Sequence, residues 1–241
     1  MALDPACALA ACRKRRAVSN RYKSYAWACR RVVGFRLVHR VRAGAGPQSC
    51  LPGKPGAAIP EPMRIHHPPV PELPGISLRQ IDRSDIGAWY AYLRLPAVTE
   101  HTSWNLASGD DLLPLFDAFE SPSADSQRRL AVVDARSGRM VGSIGFHTIS
   151  GVNRTAEIAY DLAPEYWGRG IAKALCATVT RWAFQEYGFI RIQAAVLESN
   201  QASAKVVQAC GYRHEGLLRS FRLVRGMPRD YALYARLAAD E

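Results

Sequence analysis

Glu165-Tyr166-Trp167-Gly168-Arg169-Gly170-Ile171-Ala172 is the stretch on which the fold turns. Two glycines one residue apart close a loop. An apolar repeat of helical period opens directly behind them, with Ile171, Leu175, Val179 and Trp182 on one stripe. The pattern predicts a helix over 170–187, stopped by Gly188. The first backbone N–H groups of such a helix have no partner inside it and lie at the positive end of its dipole. That junction is a ready seat for a phosphate-bearing ligand. Glycine suits the position because a Cβ would hold the anion away from the backbone.

Working outward, the residues from Arg154 to Leu162 alternate as a strand. Ala156, Ile158, Tyr160 and Leu162 share one face, and Glu157, Ala159 and Asp161 share the other. Downstream, Ile190 to Leu197 reads as a strand. Asn200 then caps a shorter helix with Val206, Val207 and Cys210 turned inward and Gly211 as its stop. Further upstream, a strand is expected from Ile76 to Ile81, followed by a helix capped by Ser84 and Asp85 and running to about Leu95. A loop carrying His101, Thr102, Ser103, Trp104 and Asn105 leads to a helix from Gly109 to Phe119. Strands from Leu130 to Ala135 and Met140 to Ile149 meet at the turn Arg136-Ser137-Gly138-Arg139. A closing hairpin joins Tyr212–Val224 to Asp230–Leu237 around Gly226-Met227-Pro228, with Arg229 and Asp230 expected to form a salt bridge. The order β-α-α-β-β-β-α-β-α-β-β implies one α/β domain with a mixed sheet and helices on both faces, over 76–241 after a proline-rich lead-in at 63–75.

The formal charge of +11 suggests nucleic acid or membrane until it is located. Residues 1–62 carry 12 Lys and Arg against Asp4 and Glu61, which leaves 20 basic and 19 acidic side chains over 63–241. The basic character belongs to the tail, and nucleic acid is not an expected partner of the domain. The tail reads as a disordered or non-native extension, with translation from Met63 as one origin. A targeting peptide and an RNA- or ribosome-binding arm are the alternatives. Cys7, Cys12, Cys29 and Cys50 lie in the tail, and Cys176 and Cys210 fall on predicted helices. No C-x-x-C pair occurs, which argues against zinc, and a reducing cytoplasm without disulfides is expected. No apolar run approaches the roughly 18–20 residues of a membrane span.

The strand Thr155-Ala156-Glu157-Ile158-Ala159-Tyr160-Asp161-Leu162 and the glycine loop are followed by Asn200-Gln201-Ala202-Ser203, Cys210-Gly211-Tyr212-Arg213-His214-Glu215-Gly216 and Arg229-Asp230. Together, over about 76–237, these motifs resemble the GNAT acetyltransferase superfamily, in the branch of the RimJ/RimL ribosomal-protein-alanine N-acetyltransferases. The resemblance implies a GNAT fold with a splayed central sheet and acetyl-CoA as co-substrate, without a metal. It places the pyrophosphate on Arg169, Gly170, Ile171 and Ala172, with Trp167 and Gly168 beside them. It also implies that the pantetheine arm lies along the strand of Glu157 and contacts Asn200. An amine then attacks the thioester directly, and a backbone N–H polarises the carbonyl. The acceptor is a protein N-terminal amine or a small-molecule amine, and the protein is a monomer or homodimer.

The reaction needs a base for the amine and a proton for the departing thiolate. Glu157 is the sequence candidate for the base, against a reading as a solvated or substrate-recognising acid. Asp161 reads as structural. Ser203 is the candidate proton donor, against a plain capping role beside Asn200. Many GNAT members carry a tyrosine acid at the position that is Val207 here, so the departure points to Ser203 or solvent. His147 and His214 read as packed or surface histidines. Trp104 and Tyr160 are the candidates for lining the acceptor cleft, with simple packing as the alternative. The rivals to an N-acetyltransferase are a non-catalytic acyl-CoA sensor on the same fold and a ribosome- or RNA-associated protein tethered by the tail.

Overall fold

The computed structural model describes residues 64–240. The basic tail over 1–62, its four cysteines and the start at Met63 lie outside the described residues. Among the described residues seven strands form one mixed sheet. From edge to edge they are β1 (Ile76–Gln80), β2 (Arg128–Asp134), β3 (Met140–Ser150), β4 (Thr155–Leu162), β5 (Arg191–Leu197), β7 (Met227–Leu237) and β6 (Arg213–Val224). Every neighbouring pair is antiparallel except β4 and β5, which are joined through α4 (Ile171–Tyr187).

Both faces of the sheet are covered, each for the reason the alternation gives. On one face α4 and α5 (Gln201–Ala209) bury Ile171, Leu175, Val179 and Val207 against Leu130, Val132, Ile144, Ile158 and Ile192. On the other, α1 (Ile86–Leu93), α2 (Pro96–Thr99) and α3 (Leu113–Phe119) bury Trp89, Leu93, Val98, Phe116 and Phe119 against Ala131, Val133 and Met140. Cys176 and Cys210 are buried free thiols in the first of these cores. The lead-in docks as well, with Ile65 and Leu73 packed against the α4-side core. Trp182, placed on the inward stripe by period, is only half-buried. Among the described residues no helix is long and apolar enough to cross a membrane.

Several local expectations are corrected. The first helical segment is capped by Asp82, whose side chain accepts from the Ser84 N–H while Asp85 reaches back to the Asp82 N–H. The helix expected to reach Leu95 ends at Leu93, because Pro96 forces Leu95 into extended backbone and starts α2. The helix placed from Gly109 opens as a 3-10 turn capped by Ser108 and becomes α only at Leu113. The closing turn is the two-residue Arg225-Gly226, both at positive φ (50° and 80°), the geometry that matches strand twist. Met227 and Pro228 therefore belong to β7, in a stretch beyond its pairing with β5 where a missing N–H is tolerated. The Arg229–Asp230 salt bridge does not form. Neighbours on a strand point to opposite faces, and Asp230 accepts from the Ser220 N–H at 2.7 Å instead.

One feature of the sheet positions the candidate site. β4 and β5 pair only where Thr155–Glu157 faces Arg191–Gln193. Beyond that point β4 stays with β3 and β5 stays with β7, so the sheet opens between them from Ile158 and Ala194 onward. This is the splay that the family resemblance implied.

Candidate active site

Two cavities meet at the opening, and Tyr160, Asp161, Asn200, Ser203, His101 and Thr102 border both. The first, of about 410 Å³, runs over the glycine loop and the start of α4. Gly168 and Gly170 sit at φ 71° and 74°, and a Cβ on either would meet no protein atom within 4 Å. Backbone conformation, rather than packing, therefore calls for glycine. Gly170 begins α4 with no side-chain cap, which leaves first-turn N–H groups facing the cavity. Trp167 is tied to the loop by its indole N–H, which donates to the Leu162 carbonyl at 2.8 Å.

Of the residues expected to hold a pyrophosphate, Trp167, Gly168, Gly170, Ile171 and Ala172 line this cavity, as does Asn200. Arg169 does not; its guanidinium lies over the Tyr166 ring at 5.4 Å. Lys173 lines the cavity and was missed, although its place in the first turn behind the glycines was visible in the sequence. It puts a cation beside the unpaired amides. Asn200 caps α5 as expected, accepting from the Ser203 N–H at 3.0 Å.

The second cavity, of about 330 Å³, lies on the side of α1–α3 and the closing hairpin. Trp104 lines it, packed edge-on to Trp89 at 5.9 Å between centroids. Tyr160 stands at the junction. Its hydroxyl hydrogen-bonds the Ser203 hydroxyl at 2.8 Å, and burial pushes its pKa up. The sequence pattern thus separated two residues that the fold joins.

Glu157 is 4% exposed and is not among the residues bordering either cavity. One carboxylate oxygen receives Arg222 Nη2 at 2.7 Å and lies 3.2 Å from His147 Nε2. Burial alone would raise its pKa. The His147 hydrogen bond and charge, with Arg222 added, outweigh that and hold it down at about 2. A carboxylate that acidic is a poor base for direct contact with an ammonium. His147, by contrast, borders the second cavity. Strand alternation alone gives it only a packed or surface role.

Two irregularities of pairing build this cluster. Phe146 pairs with Ile158 and Thr148 with Glu157, so His147 is the extra residue of a β-bulge. The bulge turns His147 and Thr148 together onto the face that carries Glu157. In the closing hairpin Leu218 pairs with Tyr231 and Arg222 with Arg229, so three residues oppose Asp230 alone. Ser220 takes φ 51° there, and the bulge carries Arg222 over to Glu157.

Asp161 is structural, as expected. It accepts from Tyr92 and Trp89, from Ser143 and from Arg129, the last at 2.7 Å. Arg129 also donates to the Ala159 carbonyl at 3.0 Å, so a buried ion pair braces β4 where it leaves β5.

The profile of the acetyltransferase (GNAT) domain family matches residues 76–213, more than half of the chain. YoaA of Bacillus subtilis, described as an uncharacterized N-acetyltransferase, is 29% identical over 169 residues, covering 69% of this chain and 96% of the relative. The structure of spermidine N-acetyltransferase from Vibrio cholerae with CoA and spermine is similar at TM-score 0.61 and 23% identity, over 69% of this chain and 97% of that one. RimL, a ribosomal L7/L12 alpha-N-protein acetyltransferase in complex with coenzyme A, is similar at TM-score 0.63 and 19% identity, over 72% and 100%.

Proposed function

This chain belongs to the GNAT acetyltransferase family, and from that premise we propose that it moves an acetyl group from acetyl-CoA to a primary amine through the site between β4 and β5. The observation that carries the reading is the short β4–β5 pairing, which opens the sheet directly beside the glycine loop and the unpaired start of α4. Acetyl-CoA, when bound, supplies a thioester whose acetyl carbon an amine can attack.

The fit rests on this chain's own groups. The first-turn amides of α4 and the Lys173 ammonium suit a pyrophosphate, and the indole of Trp167 walls the loop. From Ile158 onward the open edge of β4 offers backbone groups to an extended chain, as a strand edge does to a peptide. Asn200 stands at the meeting point of the cavities, rigid because it also caps α5.

Proton handling divides between two clusters. His147 borders the acceptor cavity and takes the amine's proton, directly or through water, while Glu157 behind it supplies the counter-charge. Glu157 thus acts as a positioning residue rather than as the base in contact with substrate. On the other side, the Ser203 and Tyr160 hydroxyls form a pair at the junction that can hold a proton for the departing thiolate. Tyr160 and Ser203 thereby offer hydroxyls to a cavity that Val207 also lines but to which it can give no proton.

The relatives' names point to two acceptor classes, polyamines and protein N-termini. CoA release from acetyl-CoA, measured with the full chain against an amine panel, tests the proposal. Turnover of at least one amine, lost in Ser203→Ala and His147→Ala, is the expected result. Tight acetyl-CoA binding with silence across the panel would favour an acyl-CoA sensor.

A further inference from the structure

The acceptor cavity has no carboxylate free to receive a cation among the described residues. Asp161 is filled by Tyr92, Trp89, Ser143 and Arg129. Glu157 takes Arg222 and His147 on one oxygen and Gln193 at 3.5 Å on the other. Cations are in a different state. Arg222 borders the cavity with 30% of its side chain exposed; its Nη2 is engaged by Glu157 and His147, and its guanidinium lies over the Phe221 ring at 4.8 Å and the Tyr231 ring at 5.4 Å. Its Nε and Nη1 hydrogens have no acceptor among the described residues.

Arg229 stands directly across the hairpin from Arg222, so the two share one face of the sheet. It is exposed and makes no hydrogen bond or ion pair among the described residues, and Tyr231, two residues on and on the same face, lines the cavity. Like charges directly opposite one another weaken a strand pair. Glu157 and the Phe221 and Tyr231 rings meet the Arg222 charge, whereas Arg229 has no acidic partner among the described residues, and a ligand of negative charge would supply one.

Resting on the acetyl-transfer reading, we infer that the acceptor is a primary amine with a carboxylate a few bonds from its nitrogen, anchored by Arg222 with Arg229 beside it. The guanidinium charge suits a carboxylate, which its remaining Nε and Nη1 hydrogens meet singly, and the neighbouring His147 suits the amine. A polyamine would bring several ammonium groups to a wall whose one carboxylate, Asp161, is already filled, with Glu157 paired behind it. This reading therefore parts from the polyamine specificity in the name of one structural neighbour. Two sources present the required chemistry, free acidic amino acids and protein N-termini that open with acidic residues.

The test is CoA release by the full chain with four kinds of acceptor. These are aspartate and glutamate, a peptide opening with two acidic residues, the same peptide with their side-chain amides, and spermidine with spermine. We expect kcat/KM for the acidic peptide or the amino acids to exceed that for the amide peptide and the polyamines about tenfold or more, expressed in KM. Arg229→Glu should lower that ratio by about the same factor. Arg222→Lys, which keeps the charge, should retain more of the preference than Arg222→Met. Polyamine turnover equal to or above that of the acidic amines, or a ratio unmoved by Arg229→Glu, overturns the inference while leaving acetyl transfer standing. Silence toward every amine with acetyl-CoA still bound overturns the acetyl-transfer reading itself. Preference for the peptide or for the free amino acid identifies the source.

Discussion

At the scale of single residues, the strongest dependence is at Gly170. Its φ of 74° disfavours any side chain, and it lines the cavity at the start of α4. Gly170→Asp adds strain and a negative charge where an anion is to sit. The acetyl-CoA Kd should rise at least tenfold, about 1.4 kcal/mol or more, as read by calorimetry. Glu157 gives a prediction in pH. Its carboxyl titrates at about 2 in the fold, below its ordinary value, so its ion pairs stabilise the protein above about pH 4.5. That contribution fades as pH falls toward 2. Acid unfolding of the wild type should steepen over this window, and Glu157→Gln, less stable at neutral pH, should lack that component. Chemical denaturation at stepped pH reads both. If His147 receives the proton, Glu157→Gln should also lower kcat by about 10²-fold and move its pH profile. A purely structural Glu157 would leave the profile in place.

At the scale of elements, the β-bulges do what alternation alone would not. A regular β3 would carry one side chain opposite Glu157; the bulge at His147 supplies two. The buried Arg129–Asp161 pair holds the opening strand in place from behind. Asp161→Asn leaves the Arg129 charge buried without its partner and should cost about 3–5 kcal/mol of stability, measured by urea unfolding. Replacing both with apolar residues of similar volume should cost less than that single change.

At the scale of the molecule, the charge is split. The tail over 1–62 holds almost all the excess, while 63–241 is close to neutral, and the family match begins at residue 76. A chain of residues 63–241 should therefore keep acetyl-CoA affinity within a factor of about two of the full chain. Salt-sensitive RNA binding, if the full chain has any, should disappear with the tail. Acetyl-CoA titrations and RNA retention at two salt concentrations check these two outcomes.

Local sequence pattern carried the strand order along the chain, the mixed sheet, the glycine loop and the cap at Asn200, and lacked the short α2 that begins at Pro96. Each rests on local rules: a period of 2 or 3.6, glycine at positive φ, a side chain that bonds three residues ahead. It also showed where β-alternation put Glu157 and Asp161 on one face, and both proved buried there. Folding in three dimensions makes Glu157 an ion-paired carboxylate, brings His147 and Arg222 to it, and sets Tyr160 on Ser203. The reason is physical. A bulge is a mismatch between two strands far apart in the chain, so no single segment carries its signature. A carboxylate's strength as a base depends on what surrounds it, and its partners come from strands 10 and 65 positions away.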